Sequence, residues 1–250
     1  MNFSRKIAIK TTLMIYLLVI ACNQDNSNLT CKVNTDYSEA IVYKPCHEFI
    51  FRSKYWSQDE LISDEKISLF ITGNGWQYDS FQAEALLIYK TGYDESDIKK
   101  IRSFGINPEI NDRQWVNQSA TGIIDNEKMV FLHPFRDNQY YFTEIAPFPE
   151  VVYPLHVGKS WSIALNIGGG WGLWDGLRLE TTYRVVEKES LTINDIEYNN
   201  CWRISSSAAS DLGISYLTVW FHEEFGFVKF TYVTHADQIL QLELDKVIEH

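Results

Sequence analysis

From Ser160 onwards the chain contains short runs in which apolar and polar residues alternate. Ser160–Ile167 is the clearest case, and a period of two places every second side chain on the same face of a β-strand. Such runs follow one another with no long helical pattern between them, which indicates an antiparallel meander and not βαβ units. The later runs are Leu179–Lys188, Leu191–Ile196, Trp202–Ser206, Ser215–His222, Phe227–Val233 and Ile239–Val247.

Strand signals also precede this region. Ile123–Ile124 and Met129–Leu132 flank the polar segment Asp125–Lys128, a pattern typical of a β-hairpin. The aromatic run Tyr140–Ile145 predicts a further short strand. Three prolines then interrupt the pattern between residues 146 and 155, because proline has no amide donor for a strand ladder.

One short helix is expected before the hairpin. Asp94 is a suitable N-cap for a helix that runs to Phe104, where Gly105 ends it. Ser80–Lys90 is ambiguous, since its apolar residues fit a strand and its Ala and Leu content also fits a helix. The aromatic share of 14% suits half-buried pleated surfaces.

These patterns predict a mainly β protein with a curved antiparallel sheet, as a half-barrel or a sandwich, and one or two short helices. Residues 31–145 form a β-rich region with the short helix, and residues 146–250 form the meander. The two regions can also fold as a single domain.

The first 21 residues have the order of a secretory leader. A basic start precedes the uncharged apolar run Leu13–Ala21, which is too short for a spanning helix of about 20 residues. The string Val19-Ile20-Ala21-Cys22 resembles the bacterial lipobox. We therefore expect a lipoprotein signal peptide over residues 1–21 and a lipid anchor on Cys22, with acyl chains such as palmitate.

Residues 22–30 are polar and predict a flexible tether. Gln24-Asp25 resembles the acidic signals that send some lipoproteins of the Bacteroidota to the cell surface. The expected location is thus the outer membrane of a Gram-negative bacterium, on its periplasmic side or at the cell surface.

The charge of the chain disfavours nucleic-acid binding. Without residues 1–21 the chain keeps 19 basic and 33 acidic residues, a formal charge of −14. Such a surface repels phosphate backbones, and no basic stripe with interleaved aromatics is present.

Three cysteines remain besides Cys22. Cys31 and Cys46 have 14 residues between them and can form a disulfide in an oxidising compartment. Cys201 lies in a strand-like run and is expected to be a buried small hydrophobe. No cysteine or histidine spacing matches a zinc site, so no metal and no cofactor are predicted.

Gly168–Trp174 is the most unusual segment in composition. It lacks the lysine and the following helix of a phosphate loop. It can be a mobile loop with two exposed indoles, or a tight hairpin whose Trp side chains cover the edge of the core, and the second interpretation is favoured. The candidate binding residues are Trp161, Trp171, Trp174 and Trp220.

Two strings near the meander resemble elements of Gram-negative extracellular lipoproteins, Tyr153–Trp161 at its start and Glu224–Phe230 at its closing turn. The resemblance implies a strongly curved antiparallel sheet, sometimes a half-barrel that holds a lipid or another apolar ligand. The resemblance implies no established activity and identifies no catalytic residue.

The sequence favours a non-catalytic envelope protein that binds an apolar ligand or a protein partner on a β-surface. No Gly-x-Ser-x-Gly, His-Glu-x-x-His or comparable motif is present. Two alternatives stay open. One is an extracytoplasmic hydrolase, for instance carbohydrate-active, with carboxylates converging from distant segments. The other is a structural or assembly factor of the envelope.

Overall fold

A computed structural model describes residues 29, 31, 40–110 and 113–250. Within these residues the chain forms one 12-stranded antiparallel sheet, the helix α1 and three 3₁₀ helices, which confirms the predicted fold class. No helix among them is long and apolar enough to cross a bilayer. The elements are β1 His47–Ser57, β2 Glu60–Trp76, β3 Asp79–Ile88, α1 Glu95–Arg102, β4 Gln118–Asp125, β5 Met129–Leu132, β6 Glu150–Val152, β7 Ser160–Asn166, β8 Arg178–Ile193, β9 Ile196–Ser210, β10 Gly213–His222, β11 Gly226–Val233 and β12 Gln238–Glu249, with 3₁₀ helices at Pro108–Ile110, Asn138–Ile145 and Gly172–Trp174.

The strand order is β6-β5-β4-β3-β2-β1-β12-β11-β10-β9-β8-β7. Each strand therefore pairs with its neighbour in sequence, except that β1 pairs with β12 at the centre. β6 and β7 are the two edges, although only residues 153–159 separate them in the chain. The Lys159 ammonium, next to β7, donates to the Val152 carbonyl of β6 at 2.6 Å. The sheet is therefore curled enough to bring its edges together.

The helix α1 follows the local sequence signals. The Asp94 carboxylate accepts hydrogen bonds from the backbone N–H groups of Ser96 and Asp97 at 2.8 and 2.9 Å, which satisfies two of the free donors of the first turn. The predicted N-cap is confirmed, and the α-helix ends at Arg102, two residues before Phe104. The ambiguous stretch near Ser80–Lys90 is strand β3, paired with both β2 and β4.

Two predicted runs of the meander are a single strand. Leu179–Lys188 and the first half of Leu191–Ile196 lie in β8, whose pairing with β9 shifts register twice along its length. Asn194 and Asp195 form the turn to β9 with φ values of 49° and 64°. Asn and Asp tolerate this left-handed conformation, so the two-residue hairpin fits the sequence.

The strand prediction for Tyr140–Ile145 is wrong, because these residues lie in the 3₁₀ helix Asn138–Ile145. A strand at a sheet surface buries alternate residues, whereas every residue from Gln139 to Ile145 is buried. Phe142 is fully buried, with its ring 5.0 Å from that of Tyr55 on β1. The segment is thus inserted against the inner face of the sheet, where side chains on all its sides find apolar partners.

A buried carboxylate fixes this 3₁₀ helix to the sheet. Glu65 of β2 accepts hydrogen bonds from the Tyr140 hydroxyl, the Gln139 amide and the Tyr93 hydroxyl. The Ser53 hydroxyl of β1 donates to the Tyr140 oxygen at 2.9 Å. Burying a carboxylate is unfavourable unless it is hydrogen-bonded, and three donors meet that need here.

The inner face of the sheet is filled by the protein itself. Residues 133–149 pass over it, and the enclosed cavity beneath has a volume of ≈ 10 Å³, lined by Phe51, Leu87, Phe135 and Phe230 among others. That volume is about enough for one water molecule. An apolar ligand on the inner face therefore requires the covering segment to move.

The N-terminal end of the described chain is tied to one end of the sheet. Cys31 and Cys46 are joined by a disulfide with Cα atoms 5.3 Å apart. The Cys46 N–H donates to the Ile71 carbonyl of β2 at 2.9 Å. The predicted leader, the lipidation site Cys22 and, apart from residue 29, the tether 22–30 lie outside the described residues.

Candidate functional site

A small cleft opens where α1 and residues 106–110 and 113–117 pass over the 3₁₀ helix Asn138–Ile145. We call it the basic cleft. Its volume is ≈ 30 Å³, roughly the room of two water molecules. A shallow groove of ≈ 490 Å³ continues from it along α1 and shares Arg102 and Trp115 with it. The lining of the basic cleft is Arg102, Ile110, Arg113, Gln114, Trp115, Arg136, Asp137, Asn138 and Tyr141.

Three of the eight arginines of the chain line this cleft, although the chain as a whole has a net charge of −11. Arg102 ends α1, and its guanidinium donates to the Arg113 carbonyl at 2.5 Å. The Arg113 guanidinium lies over the Trp171 ring, 4.3 Å from its centre. Among the described residues, neither Arg102 nor Arg113 forms an ion pair within 4.0 Å, although the Asp137 carboxylate also lines the cleft and the charge of Arg113 acts on Glu144.

Arg136, the third arginine, lies 3.6 Å from the Glu144 carboxylate. Glu144 is buried, and burial raises the pKa of its carboxyl group, while the charge of Arg136 acts in the opposite direction. Arg136 is also 3.4 Å from the imidazole of His133. This guanidinium thus lies between the Glu144 carboxyl group and the His133 imidazole, and it also lines the cleft.

Two side chains of the 3₁₀ helix hold the outer wall of the cleft. The Asn138 side-chain amide accepts from the Val116 N–H at 2.9 Å and donates to the Val116 carbonyl at 2.8 Å. The Tyr141 hydroxyl accepts from the N–H groups of Ile106 and Asn107 at 2.7 and 3.2 Å. Because these bonds join Ile106, Asn107 and Val116 to the buried helix, the arginines are presented on a fixed support.

Trp171 and Trp174 support this cleft from below. Both indoles are buried, with exposed fractions of 8% and 2%, which matches the interpretation that they cover the edge of the core. The Asn107 amide donates to the Trp171 carbonyl at 2.9 Å, and the Trp174 ring lies 5.4 Å from that of Tyr141.

The other two candidate tryptophans lie elsewhere. Trp161, on the edge strand β7, stacks on Tyr183 with ring centres 5.1 Å apart. Trp220 is on β10, three strands away, and its indole N–H donates to Glu189 at 2.8 Å on the outer face of the sheet. The four indoles therefore do not form one surface.

The basic cleft was missed by the sequence analysis. Its arginines come from a helix end, a loop and the entry to a 3₁₀ helix, so no period or spacing links them. The available signal was compositional, since Arg102, Arg113 and Arg136 fall within 35 residues of a chain that has few arginines.

No protein-family model and no curated protein sequence matches the chain. Solved structures to which it is similar include lipoproteins and exported proteins. An exported protein with a YmcC-like fold from Bacteroides fragilis NCTC 9343 has a TM-score of 0.47 and 9% identity over 84% of this chain and 98% of that one. A proposed lipoprotein from Parabacteroides distasonis ATCC 8503 has a TM-score of 0.44 and 10% identity over 83% of this chain and 97% of that one. The hypothetical lipoprotein YmcC from Escherichia coli K12 has a TM-score of 0.36 and 8% identity over 86% of this chain and 93% of that one.

Proposed function

We propose that this protein is a non-catalytic binding protein of the cell envelope, anchored to the outer membrane through lipid on Cys22, and that the basic cleft holds an oxyanion of its ligand or partner. The anchor is supported by the leader and the lipobox-like string that ends at Cys22. The observation that carries the binding proposal is the convergence of Arg102, Arg113 and Arg136 in a strongly acidic chain.

The shape of the site indicates the size of the ligand group. The basic cleft has room for one small polar group, and guanidinium forks match the oxygen geometry of carboxylates and phosphates. The adjoining groove contains Ile98 and Trp115, which suit an apolar or aromatic part next to the anion. The ligand class is therefore an amphiphile or peptide segment with one carboxylate or phosphate.

Benzoate and phenyl phosphate test this proposal, with benzyl alcohol as the uncharged counterpart. Binding is measured by calorimetric titration into the full mature chain at low salt. Both anions should bind and the alcohol should not, and the relative strength of the two distinguishes carboxylate from phosphate. Equal binding of benzyl alcohol and benzoate would contradict the oxyanion site.

Arg113→Gln is the informative variant, because among the described residues its guanidinium makes no ion pair within 4.0 Å and its packing partner is the Trp171 ring. A hydrogen bond between charged groups contributes about 1.5–3 kcal/mol, so the variant should bind at least about tenfold more weakly. Arg184→Gln is the matched control, since Arg184 is exposed on β8 away from the cleft. If both variants bind as the wild type does, the site is wrong.

A further inference from the structure

The hairpin between β2 and β3 carries the most exposed aromatic side chains of the described residues. Phe81 is 91% exposed and Tyr78 is 77% exposed. The Trp76 ring is half-buried, 5.5 Å from that of Tyr78. We call Trp76, Tyr78 and Phe81 the aromatic tip. Apolar side chains exposed together at a projecting turn are typical of a contact surface.

The aromatic tip is held in a defined position. Trp76 lies over Gly122 of β4, where a Cβ atom would come within 2.4 Å of the indole ring. The Trp76 ring is also 5.3 Å from that of His133. The Asp79 carboxylate accepts from the Phe81 N–H at 3.0 Å and so fixes the turn. Little conformational freedom is therefore lost when the tip meets a partner.

The tip lies at the end of the sheet where the N-terminal segment is attached. Ala83 pairs with Ile123, so Phe81 is level with Asp125 at the end of β4. The Asp125 carboxylate accepts from the Val42 N–H at 2.7 Å. The basic cleft lies beyond the opposite end of β3, seven residues or about 23 Å along the strand from Phe81.

The length of chain before this attachment limits the distance to a lipid anchor. Cys31 is bonded to Cys46, and Cys22 lies nine positions earlier in the sequence. Nine residues span at most about 32 Å when fully extended. This step rests on the proposed lipidation of Cys22. An anchored molecule therefore keeps the disulfide at this end of the sheet within about 32 Å of the bilayer.

We propose that the aromatic tip inserts into the interfacial region of the membrane that holds the anchor, so that the basic cleft faces away from it. Trp and Tyr are enriched at membrane interfaces, where their apolar rings meet lipid and their polar groups stay hydrated. The charges around this end do not favour anionic lipid. They include the acidic residues Asp79, Glu127, Asp195, Glu197, Glu223 and Glu224 and the basic residues Lys44, Lys128 and Lys159. The partner is thus a zwitterionic lipid surface, bound by apolar burial.

The first experiment places an environment-sensitive NBD label on Phe81→Cys of the full lipidated chain in phosphatidylcholine vesicles. Cys201, the free cysteine of the described residues, is buried and resists labelling. Leu212→Cys, in the exposed turn at the far end of β9, is the matched control. The label at residue 81 should brighten several-fold, shift to the blue and be quenched by lipid-borne quenchers, while the label at residue 212 should not. Equal responses overturn the proposal.

A second experiment separates the tip from the anchor. The mature Cys22→Ser chain, which cannot be lipidated there, should still sediment weakly with phosphatidylcholine vesicles, and Phe81→Ser should reduce this partition about tenfold. If Phe81→Ser has no effect, the tip proposal fails whether or not Cys22 carries lipid. A residue-81 label that responds to protein concentration without vesicles shows instead that the tip binds a second copy, which also overturns the proposal. Mass spectrometry of the purified wild type tests the anchor independently.

Discussion

His133 gives this protein an acid sensitivity that can be calculated from the structure. Its imidazole lies among aromatic rings, 5.2 Å from that of Phe131 and 5.7 Å from that of Phe148, and beside the Arg136 guanidinium. Burial, and secondarily the positive charge of Arg136, lower the pKa of His133 from 6.5 to about 4. The folded protein therefore keeps this ring neutral at pH values where the unfolded chain protonates it.

The sign follows from proton linkage. Between pH 6.5 and pH 4 the unfolded state binds more protons at this position than the folded state, so the free energy of unfolding falls as the pH falls. With the lowered pKa of about 4, this one group reduces the free energy of unfolding by about 2 kcal/mol between pH 7 and pH 5. The protonated ring would also repel Arg136 and disturb the basic cleft.

Urea denaturation of the wild type and of His133→Phe, followed by Trp fluorescence at pH 7, 6 and 5, measures this effect. Burial raises the pKa of Asp125, Glu144 and Glu150, and these carboxyl groups act with the opposite sign in both proteins. From pH 7 to pH 5 the free energy of unfolding of the variant, relative to that of the wild type, should therefore rise by about 2 kcal/mol. His156→Phe, at an exposed position, is the control. Parallel pH profiles for all three proteins would refute the reasoning.

Two further predictions concern stability. Phe142→Ala should lower the free energy of unfolding by about 4 kcal/mol, because it leaves a cavity beside Tyr55 inside the sheet. Phe81→Ala should change it by less than about 0.5 kcal/mol, and equal losses in urea denaturation would contradict the buried position of Phe142. Reduction of the disulfide between Cys31 and Cys46 should lower the free energy of unfolding by about 3 kcal/mol. Cys46→Ser should match the reduced wild type and not respond to reductant, and a reductant-sensitive variant would contradict this assignment.

The regular part of the fold was predictable because strand alternation and turn chemistry are local. The positive φ of Asn194 and Asp195 and the capping by Asp94 both correspond to signals within a few residues. The meander from Ser160 onwards follows from such signals alone, without knowledge of any distant contact.

The interior segment could not be predicted in the same way. Tyr140–Ile145 has the composition of a strand, and only its tertiary partners make a 3₁₀ helix favourable. The hydroxyl of Tyr140 finds the buried Glu65, 75 positions away in sequence, which no local pattern reveals. The basic cleft depends on this segment as well, since Asn138 and Tyr141 hold its wall. The candidate site was missed for the same reason as the segment that supports it.

Because β1 pairs with β12 at its centre, this sheet has the strand order of a circularly permuted β-meander. If the chain began at β7 and continued from β12 into β1, every strand would pair with the next one along the chain. In the natural order each half can close its own local hairpins, whereas the seam between His47 and Glu249 joins residues about 200 positions apart. A circular permutant can have its new termini between residues 153 and 159 and a linker that joins β12 to β1. In this permutant the pairing of β1 with β12 becomes local, so it should fold faster than the natural chain.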